Sequence, residues 1–185
     1  MDLFSSAWMT RSLGEAVSAL YLEEGAGLFA GGWDGCVKSW DAEGGLLWTA
    51  KLPDRVTVLH RQGDALFATA GLDVACIDAL DGTVRWSHSL EGSADSITVF
   101  NDSLYAVSSV YDIEHNDFLE SAVWSFSFDG TLRWIHRMDE RPWVTLEHAD
   151  EVWFGLGRPK CGFANIRGED EFIHTKTKAD SPITC

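Results

Sequence analysis

The residues best suited to do chemistry in this chain crowd into Tyr111–Ser121, reading YDIEHNDFLES. The stretch holds Asp112, Glu114, His115, Asp117 and Glu120. Clustered carboxylates can coordinate calcium, and a histidine among them can take a transition metal. The spacing lacks the Asp-x-Asp-x-Asp-Gly core of an EF-hand loop, so the plainer reading is a solvated acidic hairpin. The functional reading is a metal or partner contact, because insertions are where binding tends to sit. Elsewhere the chemistry thins out. His60, His88, His136, His148 and His174 cannot be tied by sequence to a nucleophile and a carboxylate, so no triad is supported. His88 and His136 each lie two residues after a tryptophan, a periodic placement that predicts exposed structural positions. Cys36, Cys76, Cys161 and Cys185 are far apart, without the paired spacing of a zinc or redox site. Gly31-Gly32 and Gly155-x-Gly157 precede no helix, which a phosphate-cradling loop requires. No catalytic residue, no resident metal and no cofactor is expected.

Composition narrows the partners. The chain has 185 residues, 45% hydrophobic, with nine Trp and 17 Gly. That is enough apolar mass for a core, in a turn-rich β composition. Its formal net charge is -15. A nucleic-acid binder needs a basic footprint, so nucleic acid is excluded as an expected partner. The same charge opposes an anionic membrane surface. Apolar runs such as Trp153–Leu156 are far too short to span a bilayer. The first residues, MDLFSSAWMTRSLG, lack a basic region followed by an apolar core, so no signal peptide is visible and the cytoplasm is favoured.

The elements that must position these residues are repeats. Short β-branched segments ending in a hydroxyl residue start at Val17, Val56, Ile97, Val144 and Ile183, at intervals of 39, 41, 47 and 39 residues. Trp8, Trp48, Trp86 and Trp134 recur at 40, 38 and 48. Both ladders place their long interval in the same repeat. One period reads as four strands. In the second these are Val56–His60, Ala65–Ala70, Val74–Asp78 and Thr83–Leu90, with Asp81-Gly82 as a hairpin-turn signal. The third repeat reads as Ile97–Phe100, Ser103–Val110, Ala122–Phe126 and Thr131–Met138, and in a degenerate fourth His174 takes the Trp position.

Four short antiparallel strands every forty or so residues predict an all-β chain, a β-propeller of four-stranded blades. A lone blade cannot bury both faces of its sheet, so stacking must supply the second. Trp48, Trp86 and Trp134 stand at the start of the outer strand, where a large flat side chain can cover the seam to the next blade.

The string Cys76–Trp86, CIDALDGTVRW, resembles the repeat of pyrroloquinoline-quinone-type (quinoprotein-like) β-propellers, whose blades end A-L-D-A-x-T-G-x-x-x-W. Asp81 stands where the family usually has Thr. Leu47-Trp48 belongs to a turn one residue shorter, and Ser125–Trp134 has Phe126 in place of the Asp. The resemblance implies that Trp48, Trp86 and Trp134 dock against the neighbouring blade. The segment GGWDGCVKSWDAEGG is also similar to a WD-repeat blade, with Trp40-Asp41 in place, although the Gly-His dipeptide that opens such repeats is absent.

The expected organisation is one partial propeller. Residues 1–13 give the outer strand of a preceding blade, 16–52 and 55–90 two blades, 96–138 a blade with a loop insertion at 111–121, 143–177 a degenerate blade, and 180–185 the first strand of a following blade. On this reading about four blades are cut from a larger propeller. The expected function is a non-catalytic scaffold or interaction module binding a protein or other macromolecule. The alternatives are an extracytoplasmic assembly-type scaffold and a fragment of a quinoprotein dehydrogenase. The dehydrogenase reading lacks the vicinal Cys-Cys pair that the resemblance would lead one to look for.

Overall fold

A computed structural model of the chain describes residues 10–23, 27–157, 161–167 and 171–175. Sixteen strands form four antiparallel sheets of four, each in chain order. The first sheet comprises β1 (Val17–Glu23), β2 (Gly27–Gly32), β3 (Cys36–Trp40) and β4 (Leu46–Lys51). The second comprises β5 (Val56–Gln62), β6 (Ala65–Ala70), β7 (Asp73–Asp78) and β8 (Val84–Ser89). The third comprises β9 (Ser93–Phe100), β10 (Ser103–Asp112), β11 (Asp117–Ser127) and β12 (Leu132–Met138). The fourth comprises β13 (Pro142–His148), β14 (Glu151–Leu156), β15 (Phe163–Arg167) and β16 (Glu171–Thr175). No described helix is long and apolar enough to cross a membrane. The expected strand over 180–185 lies outside the described residues, as do residues 1–9; residues 10–13 are not in a strand.

The chain divides into two compact units: Met1–Gly71 with Ala75–Trp86, and Leu72–Val74 with Ser87–Cys185. In the first unit β6 is buried at every position, as a strand covered on both faces must be. Its core runs from Ala19, Phe29 and Val37 through Trp48 and Val56 to Leu66, Ala68 and Ile77. Each Val, Leu, Ile or Phe so buried contributes about 1.5–3 kcal/mol. The first two sheets approach so closely that a Cβ on Gly31 would stand 2.5 Å from Val56 Cγ1. In the second unit Tyr105, Val107 and Val123 of the third sheet pack with Val152, Phe154 and Ile166 of the fourth, and Phe100 and Trp134 lie against them.

A bulge recurs at the start of the inner strand, after Val17, Val56, Ala94 and Pro142. The bulged residues are Ser18 and Thr57, then Asp95 and Trp143. Ser18 donates to the Val56 carbonyl at 2.6 Å, and the Thr57 and Thr69 hydroxyls share a bond of 2.7 Å. Ala94-Asp95 and Pro142-Trp143 are therefore the structural counterparts of Val17-Ser18 and Val56-Thr57. The sequence ladder marks Ile97-Thr98 and Val144-Thr145 instead, three and two residues late, because the third and fourth blades lack the β-branched and hydroxyl pair at this corner.

The turns between third and fourth strands explain the Asp-and-Gly signature. Asp78 N–H donates to Thr83 O at 2.7 Å, and Asp78 Oδ1 accepts the N–H of Leu80 at 2.8 Å. Asp41 and Ser127 close turns one residue shorter, their N–H groups bonding Gly45 O and Thr131 O, each at 2.9 Å. Ser127, rather than Phe126, thus takes the Asp position of the third blade. The arginine before the tryptophan ties this turn back to the one between the first two strands. Arg85 bridges Asp64 and Asp78, both at 2.7 Å, and Arg133 reaches Ser103 Oγ at 2.6 Å and Asp102 O at 3.2 Å.

Candidate interaction surface

The three outer-strand tryptophans are all inward-leaning, but to different degrees. Trp48 is buried, its Nε1 donating to Ala79 O at 2.9 Å, its ring 5.9 Å from Phe29. Trp86 is half-buried against Phe67, with centroids 6.0 Å apart. Trp134 is half-buried against Tyr105 at 5.9 Å. The histidine two residues after Trp86 is not exposed as its periodicity had predicted. His88 is half-buried, its Nε2 2.7 Å from Gly130 O and its ring stacked on Phe126 at 5.1 Å. His136 is half-buried too.

Residues 111–121, expected as an inserted loop, instead extend β10 and β11 into a long hairpin with a turn over 113–116. Asn116 adopts the left-handed conformation with φ 50° that closes the turn, a role this residue type fills readily. Asp112 Oδ1 accepts the N–H groups of Glu114 at 2.7 Å and His115 at 3.0 Å. The His115 N–H, then its ring, hold this carboxyl below the usual range. Asp117 Oδ1 takes the Phe118 N–H at 2.8 Å. The carboxylates of Asp112 and Asp117 are therefore spent on shaping the turn, while Glu114 and Glu120 are exposed. Among the described residues no three His, Cys, Asp or Glu side chains are placed to hold a metal ion. Cys76 is buried, and burial pushes its thiol up to about 11, which leaves it protonated and unreactive.

Sequence reasoning missed two arginine–aromatic clusters. Arg55 and Arg141 hold the same place in their blades, just before the inner strand. Each carbonyl accepts an N–H from the glycine after its second strand, Gly71 at 3.2 Å and Gly157 at 2.8 Å. In the first unit the Arg55 guanidinium lies 4.5 Å over Trp33, which is 56% exposed. In the second unit Arg141 sits in the corner between two perpendicular rings, Phe118 at 3.9 Å and Trp143 at 4.2 Å, and its Nη2 lies 3.2 Å from Asp95 Oδ1. Trp143 is 47% exposed. Each cluster joins residues some twenty positions apart, and no local periodicity marks them. Their one sequence signal is the arginine shared by PDRV and DERP at the blade starts.

No protein-family model matches the chain. An F-box/WD-40 repeat-containing protein of Arabidopsis thaliana is 31% identical over 163 residues, covering 86% of this chain and 29% of that protein. The chain thus spans less than a third of the length of this curated relative. The computationally designed Ika4 protein matches with a TM-score of 0.64 at 16% identity, over 80% of this chain and 93% of that one. A europium-containing methanol dehydrogenase matches with a TM-score of 0.72 at 11% identity, over 86% of this chain and 41% of that one. At such identities the structural likeness shows the fold alone. Together with the four four-stranded antiparallel sheets, these relationships make the chain an all-β repeat protein of β-propeller type, with WD-repeat-like features.

Proposed function

We propose that this chain is a non-catalytic interaction module that binds a protein partner through the connections at its blade ends. One observation carries the reading: Trp33, more than half exposed, is held by the Arg55 guanidinium stacked on its ring. Exposed Trp and Arg side chains that are already oriented cost little entropy on binding and dominate interface energies. The Phe118–Arg141–Trp143 cluster offers a second surface of the same kind. The WD-40 repeat relative supports an interaction scaffold. The acidic hairpin bearing Asp112, Glu114, His115, Asp117 and Glu120, on a chain of net charge -15, selects a partner with a basic face. Trp48, Trp86 and Trp134 serve as blade-docking residues in this scheme and hold the presenting loops rigid.

Affinity capture with the whole chain, followed by titration of the purified captured protein, tests the reading. Trp33→Ala or Trp143→Ala should weaken binding at least about tenfold, as loss of a hot-spot aromatic does. Unchanged affinity in both variants would remove the proposed surface.

A further inference from the structure

The end of the third blade contains a cavity of about 350 Å³, the scale of the smaller ligand sites. We propose that it receives the basic side chain, lysine or arginine, of an extended segment of the protein partner; this deepens the interaction-module reading and rests on it.

The walls argue for that chemistry. Val110, Leu119, Ala122 and Met138 supply an apolar lining along the ends of three strands. Val110 and Leu119 are more than a third exposed, so the apolar wall is open to solvent and reachable. The rim is acidic: Glu91, Glu120 and Asp139 face a single guanidinium, Arg137. That guanidinium is engaged by Glu91, through Nε at 2.8 Å and Nη2 at 2.5 Å. The rim therefore keeps a net negative charge, and an anionic ligand is repelled. The Ser121 hydroxyl also borders the cavity; it is 95% buried and makes no hydrogen bond among the described residues. A purely apolar occupant would leave that hydroxyl without a partner and strip water from the carboxylates, at substantial cost.

A lysine or arginine answers these features, its N–H groups serving both the acidic rim and the Ser121 hydroxyl oxygen. Its aliphatic stem lies along Val110, Leu119 and Met138, and its cationic head makes charge-assisted bonds to Glu120 at the rim. The β10–β11 hairpin that lines the cavity also exposes Tyr111 and Ile113. That apolar exposure on the same hairpin favours a peptide segment, with backbone and neighbouring residues to cover it, over a free amine.

The test uses the whole chain and a fluorescein-labelled peptide of alternating Gly and Lys, with norleucine and glutamate versions as controls, read by fluorescence anisotropy. The lysine peptide should bind and the two controls should not. Glu120→Gln should weaken it about fivefold to tenfold, the loss of one charge-assisted bond. Leu119→Ala should weaken it about twofold to threefold through the stem. Asp150→Asn, an equal change of charge on the turn before β14, should leave it within about twofold. Equal weakening by Glu120→Gln and Asp150→Asn would reduce the effect to a general acidic field and overturn the cavity assignment. So would binding of the norleucine peptide as tightly as the lysine one. The captured partner separates the two proposals. If it binds the Glu120→Gln variant at full strength, the cavity assignment fails and the interaction module stands. If no protein is captured while the lysine peptide binds in a Glu120-dependent way, the cavity stands and the module reading fails.

Discussion

The indole of Trp48 lies against the bare α-carbon of Gly82: a Cβ built there would stand 2.7 Å from the ring. The same glycine has φ +81°, a conformation that L side chains rarely adopt. Gly63 has a comparable φ of +62° but nothing within 4 Å of an added Cβ. The two glycines separate backbone strain from packing. Gly63→Ala should cost about 1–2 kcal/mol from the left-handed backbone alone. Gly82→Ala should cost that plus about 1–3 kcal/mol for overpacking against Trp48. Urea unfolding midpoints of the two variants measure the difference, and equal midpoints would show that Trp48 yields freely.

Trp48 also spends its one polar atom well. Its Nε1 donates to Ala79 O, a carbonyl of the turn that Gly82 closes. Trp48→Phe keeps most of the ring and loses that bond, so it should cost about 1–3 kcal/mol, the range for leaving a buried acceptor unpaired. Trp48→Ala should cost about 3–5 kcal/mol, as aromatic truncations in a core do. If the two variants unfolded at the same denaturant concentration, the hydrogen bond rather than the ring would be what matters.

The third blade's turn predicts an acid response. The Ser127 hydroxyl, then the Thr131 N–H, bring the Asp129 carboxyl from an ordinary 3.8 to about 2. A carboxyl lowered on folding stabilises the folded state above its unfolded value and loses that contribution as pH falls through its folded one. Asp129→Asn should therefore be less stable than the parent at neutral pH, with the gap closing between pH 3.8 and about 2. Denaturant midpoints of both proteins across this range check it. A gap independent of pH would mean that the carboxylate charge contributes nothing to the turn.

The blades were legible in the sequence because their markers sit within a few residues of one another. The Asp, the turn glycine and the tryptophan of Asp78–Trp86 are local, and stacking forces their repetition. The inner-strand ladder failed at Ala94-Asp95 and at Pro142-Trp143, where other residue types replaced those that mark the bulge. The segment 111–121 was legible as an acidic hairpin, but the length of its strands was not. Its strands project beyond the blade and present acidic residues to water, so no hydrophobic alternation announces them, and Asn116 rather than glycine turns the chain. The arginine clusters and the cavity were invisible because they depend on which side chains meet across a seam. Arg141 meets Phe118 from more than twenty residues away, and nothing in either local sequence encodes the other.

The same arginine gives the last expectation. Arg141 lies against the faces of two perpendicular aromatic rings and beside Asp95, a carboxylate that also accepts the hydroxyls of Ser93 and Ser109. Arg141 and Asp95 side chains are 19% and 14% exposed, so the charges are largely withdrawn from water. Removing one of them should cost more than an exposed ion pair is worth, because the other is left behind. Arg141→Leu should destabilise the second unit by about 2–4 kcal/mol. Arg141→Lys retains the charge but loses the guanidinium's contacts with the faces of Phe118 and Trp143, so it should cost about half as much. The exposed Trp143 ring makes the geometry observable: both variants should alter its fluorescence and its access to acrylamide. If Arg141→Lys left stability and quenching unchanged, Arg141 would be acting as a simple counter-charge to Asp95, and the ring contacts would be incidental to how the surface is held.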